Sequence, residues 1–446
     1  MMKKIIQDKK NSVCIFWFRR DLRLEDNFGL YEALNIGLPV LPLFIFDTDI
    51  ICNLPENDAR ISFIYDSLVI LNKALGKYNS VIYCKKGNVL EVWKNILNEF
   101  NVRAVYANED YEPYAIMRDK SISDLLLTHN ILFKLCKDQV IFAKNEVLKN
   151  DGTPYTVFTP YKNKWMSIFQ TIALKEYNTI IKNDLNFFKY PFQVEYNFPS
   201  REEFGFLKSE IKVKDYKLDN LENYKGIRDF PALNGTSYLS VHLRFGTVSI
   251  RKIIKSIMHN EAFLSELIWR EFFMQILFHF PSVAHASFKK KYDAIQWRNN
   301  REEFEKWKNG KTGYLLVDAG MRELNKTGYM HNRVRMVVAS FLCKHLLIDW
   351  RWGEKYFAEK LLDFDLCANN GNWQWAAGTG CDAAPYFRVF NPSMQLKKFD
   401  SNFEYIKRWV PEFNTPSYPA PIVEHKVARE RCLKTYSDGI AFSKVF

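Results

Sequence analysis

The stretch DFDLCANNGNWQWAAGTGCDAAPYFRVFNP, Asp363–Pro392, decides how the rest of the chain is interpreted. Two carboxylates, three asparagines and two tryptophans fall within its first thirteen residues, so it is too polar and too aromatic for a plain connection. If Asn369 to Trp375 is helical, Asn369 and Trp373 share one face at i,i+4 spacing and Trp375 points roughly the opposite way. One tryptophan can then face a group bound inside the protein, and the other a molecule that arrives from outside.

Composition narrows the class of protein. The chain has 446 residues, enough for two or three domains, and a formal net charge of +12, which favours a polyanionic partner such as nucleic acid. Its 8 cysteines are scattered without a C-x-x-C pair, which argues against zinc and against disulfides. The apolar run Val13–Phe18 is too short for a signal peptide, and no run approaches the length of a membrane span. We therefore expect a soluble, cytoplasmic protein without a metal.

Short apolar segments alternate with amphipathic helical patterns over the first 135 residues. The predicted strands are Val13–Phe18, Val40–Phe46, Val81–Cys84, Arg103–Tyr106 and Ile131–Leu135, and the predicted helices are Asn27–Asn35, Asp58–Leu75, Val89–Phe100 and Pro113–Thr128. This alternation predicts a doubly wound, parallel, Rossmann-like sheet. No G-x-G-x-x-G follows the first strand, which argues against an ordinary dinucleotide site there.

Strand signals almost vanish in the second half of the chain. Residues 136–215 are rich in Pro, Asn and Lys and are interpreted as a linker between an α/β domain, 1–135, and an all-α domain, 216–446. The predicted helices of the second domain are Ser240–His259, Ala262–Phe280, Arg301–Lys308, Leu315–Lys326, His331–Leu347 and Gly353–Leu362.

Two stretches at opposite ends of the chain resemble the DNA photolyase and cryptochrome family. IFWFRRDLRLEDN, residues 15–27, resembles the family's opening, and the Asn-Asn-Gly-x-Trp-Gln-Trp form of residues 369–375 resembles the flavin site of class I cyclobutane-dimer photolyases. Signatures at both ends in the right order are far more specific than either alone. The resemblance covers nearly the whole chain and implies an antenna domain followed by a helical FAD-binding domain.

The stretch NGTSYLSVHLRFGTVSIR, residues 234–251, carries a Thr-Ser pair before a helix. Such a pair is an ordinary N-cap, although the same geometry also presents backbone N–H groups to a phosphate. The resemblance implies that this segment holds the FAD diphosphate. The flavin-nucleotide contacts that it implies are Tyr224, Arg228, Thr236, Ser237, Leu239, Ser240, Arg270, Asn332, Arg335, Asp363, Asp365 and Asn369.

Two helical segments carry the residues that the resemblance assigns to the lesion. In SELIWREFF, residues 265–273, Glu266 and Arg270 form either a surface pair beside core aromatics or, by the resemblance, part of the lesion and flavin site, with Trp269 stacking on the damaged base. GYMHNRVRMVVASFL, residues 328–342, begins either as a solvated helix end or as a lesion contact. The resemblance implies lesion or phosphate contacts by Glu266, Trp269, Asn332, Arg333, Met336, Trp375 and Lys398.

Three further patterns bear on the reaction. Trp373, Trp350 and Trp297 match the family's electron-carrying tryptophan chain, which spacing alone does not separate from three unrelated core tryptophans. The (6-4) branch usually has two adjacent histidines where this chain has only His331, which favours cyclobutane dimers. Tyr111-Glu112-Pro113-Tyr114-Ala115 departs from the folate-binding pattern and makes a folate antenna doubtful, so a deazaflavin, a second flavin or an empty antenna pocket stay open.

The resemblance therefore implies a deoxyribodipyrimidine photolyase, a carbon–carbon lyase that binds UV-damaged DNA as a monomer. Reduced FAD would pass an electron to a flipped-out dimer under light, with Glu266, Asn369, Trp373, Trp350 and Trp297 as its catalytic residues. The alternatives are a cryptochrome-type photoreceptor without repair, a (6-4) photolyase, and a basic DNA-binding protein without catalysis.

Overall fold

A computed structural model describes residues 12–179, 186–189, 198–219 and 221–443. The basic N-terminal segment, parts of the predicted linker and the last three residues of the predicted helical domain lie outside the described residues. The chain divides into two compact units: the first contains the described residues of 1–143, 171–214 and 240–258, and the second those of 144–170, 215–239 and 259–446. The domain boundaries drawn from the sequence stay a prediction.

The first unit is built on a five-stranded parallel sheet in the order β3-β2-β1-β4-β5. Its strands are β1 Ser12–Phe18, β2 Val40–Asp47, β3 Tyr83–Gly87, β4 Asn101–Asn108 and β5 Leu132–Cys136. The inner strands β1 and β2 are apolar along almost their whole length and buried, as expected for a parallel sheet covered on both faces. The predicted α/β architecture is confirmed.

Helices account for most of the remaining described chain. In chain order they are α1 Phe28–Leu34, α2 Thr48–Ile51, α3 Ala59–Gly76, α4 Val89–Glu99, α5 Pro113–Thr128, α6 Phe158–Phe169, α7 Tyr224–Ile227, α8 Leu239–Phe245, α9 Ile250–Ile257, α10 Glu261–His279, α11 Arg301–Lys308, α12 Leu315–Thr327, α13 Asn332–Ser340, α14 Trp350–Lys360, α15 Leu366–Ala377, α16 Pro392–Phe399, α17 Glu404–Trp409 and α18 His425–Phe442. Short 3-10 turns lie at Leu221–Asn223, Pro281–Ala284 and Lys290–Tyr292, and a π-helical turn at Phe341–His345.

The predicted helix Ser240–His259 is wrong as a single element, because the chain breaks between α8 and α9. Gly246 has a φ of 64°, and a Cβ there would lie 2.1 Å from the carbonyl oxygen of Arg20. Only glycine tolerates both the left-handed backbone and this close approach. Ser249 then caps α9 by accepting a hydrogen bond from the backbone N–H of Lys252.

The predicted linker contains a helix that the sequence analysis did not assign. In α6, Phe158, Tyr161, Trp165 and Phe169 are all buried and fall on one helical stripe. The predicted helix His331–Leu347 is also corrected, since regular α-helix ends at Ser340 and continues as the π-helical turn.

A buried ionic network explains the charged residues that follow β1. Arg251 on α9 binds Asp26 at 2.9 Å and Asp138 at 2.7 Å, and Arg23 binds Asp138 at 2.6 Å. Each of these carboxylates therefore has a cationic partner, which is what allows charges to be buried. The RDLR-x-x-DN motif holds the first unit together.

Candidate functional site

Helix α10 carries the first group of predicted site residues. Its N-terminus is capped by Asn260, whose side chain accepts a hydrogen bond from the N–H of Phe263. Trp269 and Arg270 are half-buried, whereas Phe273 is buried. One face of the Trp269 indole is covered by the ring of Phe158, and the ring of Phe273 lies 5.3 Å from the indole with 31° between the planes.

Helix α13 carries the second group, and His331 caps it. Burial lowers the pKa of His331 to about 4, so the ring is neutral near pH 7 and its Nδ1 accepts a hydrogen bond from the N–H of Arg333. The Arg333 guanidinium also lies 3.6 Å from the sulfur of Met336 and 4.5 Å above the ring of Phe399. Lys398 places its ammonium 5.2 Å from the same ring, so two cations flank one aromatic residue. Asn332 and Lys398 are exposed.

Two consecutive residues, Arg228 and Asp229, form ion pairs with side chains of α10 and α13. Arg228 binds Glu266 at 2.5 Å, and Asp229 binds Arg333 at 2.7 Å. Both pairs are partly exposed, so each can exchange its partner for a ligand. The resemblance assigned Arg228 to the diphosphate. Here its guanidinium contacts Glu266, which the resemblance assigned to the lesion, and both assignments stay predictions.

Helix α15 is confirmed over the stretch that opened the sequence analysis, and it places Asn369 inside the protein. Its first turn is capped by Asp365, which accepts a hydrogen bond from the N–H of Ala368. The amide nitrogen of Asn369 donates to the carbonyl oxygen of Glu354 at 3.0 Å and to its carboxylate at 2.8 Å. Both amide hydrogens are therefore committed to Glu354, which leaves Oδ1 of Asn369 as an acceptor.

Glu354 is a site residue that the sequence analysis missed. Burial raises the pKa of its carboxyl group, and the hydrogen bond from Asn369 opposes that shift. Its role arises only when α14 packs on α15, at a point where a Cβ on Gly353 would lie 2.1 Å from the ring of Trp373. No local pattern in the sequence points to it.

An ion pair lies between the end of α13's first turn and the segment before α15. Arg335 binds Asp363 at 3.0 Å and donates to the carbonyl oxygen of Met330 at 2.8 Å. The sequence resemblance implied this pair. Its role beside a flavin stays a prediction.

The three tryptophans of the predicted chain belong to one hydrophobic cluster. Trp373 and Trp350 are buried, and Trp297 packs against the cluster while remaining partly exposed. The indole N–H of Trp350 is buried without an acceptor among the residues that the structure describes. Trp307, which the sequence did not single out, lies 6.2 Å from Trp373 between ring centroids.

The predicted diphosphate segment lies just before α8. Thr236 and Ser237 are half-buried, and the hydroxyl of Ser237 accepts a hydrogen bond from the N–H of Leu239 at 3.3 Å. This bond closes a turn at the start of α8, and Tyr238, with a φ of 52°, lies between the pair and the helix. Ser240 is exposed, and Tyr224 is half-buried with its ring 5.0 Å from that of Phe263.

These groups fit FAD by their chemistry. Hydroxyls and a helix start suit a diphosphate, the Arg335–Asp363 pair offers a donor and an acceptor, and Oδ1 of Asn369 can accept from an N–H of a reduced flavin. Helices α10 and α15 pack closely on each other, since a Cβ on Gly371 would lie 2.2 Å from the ring of Phe273. Among the described residues, no group of three or more His, Cys, Asp or Glu side chains could hold a metal ion.

Family comparisons agree with this architecture. Residues 14–179 match the DNA photolyase family model, and residues 263–417 match the FAD binding domain of DNA photolyase. The chain belongs to the DNA photolyase family, and FAD is its cofactor.

Individual relatives extend over nearly the whole chain. The deoxyribodipyrimidine photo-lyase of Vibrio cholerae is 35% identical over 95% of this chain and 98% of its own length, and that of Escherichia coli is 36% identical with the same coverage. The crystal structure of a Sulfolobus tokodaii photolyase with two FAD molecules is 37% identical, with a TM-score of 0.83 over 96% of this chain and all of its own. No helix among the described residues is long and apolar enough to cross a membrane.

Proposed function

We propose that this protein is a deoxyribodipyrimidine photolyase that repairs cyclobutane pyrimidine dimers in UV-damaged DNA under light. One observation carries the proposal. Two half-buried tryptophans, Trp269 and Trp375, lie on helices α10 and α15 of the FAD-binding domain, and these two helices pack on each other. Bound reduced FAD would supply the electron that opens the cyclobutane ring, so the protein needs no nucleophile. The protein's own task is to extract, hold and orient the lesion.

The lesion pocket needs apolar walls and a polar contact. A dimer must leave the duplex to reach a buried cofactor, and damaged bases cost less to extrude than intact ones. Trp269 and Trp375 supply aromatic faces for the extruded bases. Glu266, which pairs with Arg228 at 2.5 Å and is partly exposed, can accept a hydrogen bond from the N–H of a pyrimidine.

Affinity for DNA arises mainly from phosphate contacts, which we assign to Arg333 and Lys398, with Asn332 and Met336 closer to the bases. The two cations share the ring of Phe399 and are thereby held on one surface. Binding should weaken steeply with salt, because counterions are released when cations neutralise phosphates.

Two arrangements serve the cofactor. Glu354 fixes the amide of Asn369 so that its oxygen faces the flavin, while Arg335 and Asp363 hold each other beside it. Trp373, Trp350 and Trp297 carry an electron inward from the surface to restore the reduced state. Trp297→Phe should block photoreduction of oxidised protein and spare repair by protein that is already reduced; unimpaired photoreduction would remove Trp297 from the chain.

We also propose that a second flavin is the antenna. The Sulfolobus tokodaii relative is described with two FAD molecules and a novel light-harvesting cofactor, and the motif Tyr111 to Ala115 departs from the folate pattern. Flavin extracted from purified protein should amount to two molecules per chain. One molecule per chain would leave the antenna pocket to a deazaflavin or to no cofactor.

We further propose that the protein acts as a monomer in the cytoplasm. None of its eight cysteines forms a disulfide, which suits a reducing compartment.

The deciding experiment is a repair assay on photoreduced protein. One oligonucleotide carries a single cyclobutane thymine dimer and the other a (6-4) product, each incubated under blue light and in darkness. Light-dependent restoration of the dimer alone is expected. Repair of the (6-4) product would change the lesion class, and no repair of either by protein that holds FAD would favour a photoreceptor.

A further inference from the structure

The indole of Trp269 has one stacked aromatic neighbour, Phe158, which neither the lesion pocket nor the flavin site uses. The ring of Phe158 lies parallel to the indole, with 3.6 Å between ring centroids and 8° between their planes. Phe158 is buried, whereas Trp269 is half-buried. Phe158 is the ring that lies parallel to the indole, whereas the Phe273 ring lies 5.3 Å away with 31° between the planes.

Helix α6, which begins with Phe158, is fixed to α10 by two buried polar contacts. The indole N–H of Trp165 donates to Glu271 at 2.7 Å, and Gln275 donates to the hydroxyl of Tyr161 at 3.1 Å. These bonds set the position of α6 along α10. Tyr161 lies in the first turn of α6 and Trp165 in the second, and neither bond involves the backbone of Phe158.

The start of α6 is held from a different direction. Val157, at the N-cap position, gives no side-chain hydrogen bond, and the N–H of Phe158 instead donates to Oδ2 of Asp382 at 3.0 Å. Asp382 lies in the segment that leaves the C-terminal end of α15, seven residues after Trp375. A carboxylate at this point accepts a hydrogen bond from an N-terminal N–H of the helix. Its negative charge is also stabilised by the positive end of the helix dipole.

These contacts form a path from one proposed lesion wall to the other. It runs from Trp375 through the start of the α15–α16 segment to Asp382, then through the N–H and ring of Phe158 to Trp269. We propose that Phe158 and Asp382 are positioning residues that set the orientation of Trp269 and its separation from Trp375, and thereby the fit of the flipped-out dimer. This inference rests on the proposed function.

The test compares two substitutions in the same aromatic cluster. Phe158→Leu removes the parallel ring, whereas Phe272→Leu removes a fully buried ring that meets Trp269 edge-on, at 82°. Base–aromatic stacking is worth about tenfold in affinity per base or more. We expect Phe158→Leu to weaken binding of dimer-containing DNA about tenfold and to leave binding of intact DNA unchanged. Phe272→Leu should change the ratio of the two affinities less than twofold.

Asp382 provides a second, independent pair of variants. Asp382→Ala removes the acceptor for the N–H of Phe158 and should reduce lesion discrimination by about threefold to tenfold, whereas Asp382→Asn keeps an acceptor oxygen and should restore it. FAD content and photoreduction should be the same for the alanine and asparagine variants. Equal discrimination by these two variants, or equal losses in the two leucine variants, would overturn the inference.

A structural readout separates this inference from the proposed function. In a crystal structure of the Phe158→Leu protein without DNA, the Trp269 ring should leave its present plane or occupy two orientations. An unchanged ring would contradict the positioning role whatever the substrate proves to be. If the wild-type protein does not distinguish damaged from intact DNA, the proposed function fails, and the ring orientation still decides the role of Phe158.

Discussion

Arginine–carboxylate pairs occur in two regions of the molecule, and their surroundings differ. In the first unit, Arg23, Arg251, Asp26 and Asp138 bind one another, and none of the four side chains is more than 8% exposed. Every charge in this network is satisfied by another member. Removing one member of such a group would leave another charge buried without its partner.

The pairs around the candidate site are of the same chemical type but are open to exchange. In Arg228–Glu266 and Arg333–Asp229, between 19% and 37% of each side chain is exposed. An exposed pair contributes little to stability, so a phosphate or a base can replace one partner at low cost. Two properties distinguish a structural ion pair from a functional one: how deeply its side chains are buried, and whether each charge already has all of its partners. Residue type matters less.

The largest expected effect comes from breaking the buried network. Asp138→Ala leaves Arg23 and Arg251 without a shared carboxylate and should lower the free energy of unfolding by about 3–5 kcal/mol. Chemical denaturation measures this loss. Glu302→Ala, which removes an exposed i,i+4 pair with Lys306, should leave the free energy of unfolding nearly unchanged. Similar losses in the two variants would remove the distinction between the regions.

A buried cation in the second unit extends the comparison to pH. Lys344 is 1% exposed and donates to the carbonyl oxygen of Arg388, and burial lowers its pKa from 10.5 to about 8. At 1.36 kcal/mol per pKa unit, the protonated form costs about 3 kcal/mol below pH 8. Between pH 8 and 10.5 the unfolded chain binds more protons than the folded one, so this cost disappears as pH rises.

Lys344→Met isolates this contribution from other titrating groups. The variant should gain stability over the wild type at pH 7, and the gain should shrink as pH rises toward 10.5. Denaturation of both proteins at several pH values measures the difference. A gain that does not depend on pH would show that the lysine is not desolvated as the structure indicates.

Trp269→Ala tests the open region at its aromatic wall. Loss of one stacking face should reduce affinity for dimer-containing DNA by about 1–3 kcal/mol, with FAD content retained. Fluorescence anisotropy with damaged and intact duplexes measures it. Trp352→Ala removes another half-buried tryptophan, on α14, and should leave discrimination intact. If Trp269→Ala still discriminates, the assignment of the pocket is wrong.

The smallest effect is expected from Asp229→Asn, which tests directly whether a partly exposed carboxylate restrains Arg333. Without the carboxylate, Arg333 is more available to phosphate, so affinity for damaged and intact DNA alike should rise by about 0.5–1 kcal/mol. Glu302→Gln makes the same change in net charge on an exposed helix and serves as the control. Equal affinities for the two variants would show that Asp229 does not restrain Arg333.

Much of the fold could be predicted from the sequence because it follows local periodicity. The five strands and their helices lie within a few residues of their predicted limits, and α15 places Asn369 and Trp373 on a buried face as the i,i+4 spacing requires. The break at Gly246 had a sequence signal, a glycine followed by a Thr-Val-Ser cap, but the close approach of Arg20 that enforces it is tertiary.

The site could be predicted only where a helix face or the resemblance pointed to it. Glu354 and Phe158 act through contacts with residues 15 and 111 positions away in the chain, which no window of sequence brings together. Helix α6 did carry a signal, since its four large aromatics form one stripe, yet the Pro, Asn and Lys around them hid it.

The indole N–H of Trp350 has no hydrogen-bond acceptor among the described residues. This affects how an electron vacancy would move along the proposed tryptophan chain. An oxidised tryptophan is strongly acidic and loses its proton to any nearby acceptor, which traps the vacancy as a neutral radical. The described surroundings of the Trp350 N–H contain no such acceptor. If the proposed tryptophan chain operates, we expect the vacancy at Trp350 to keep its proton and to move on to Trp297, which is partly exposed.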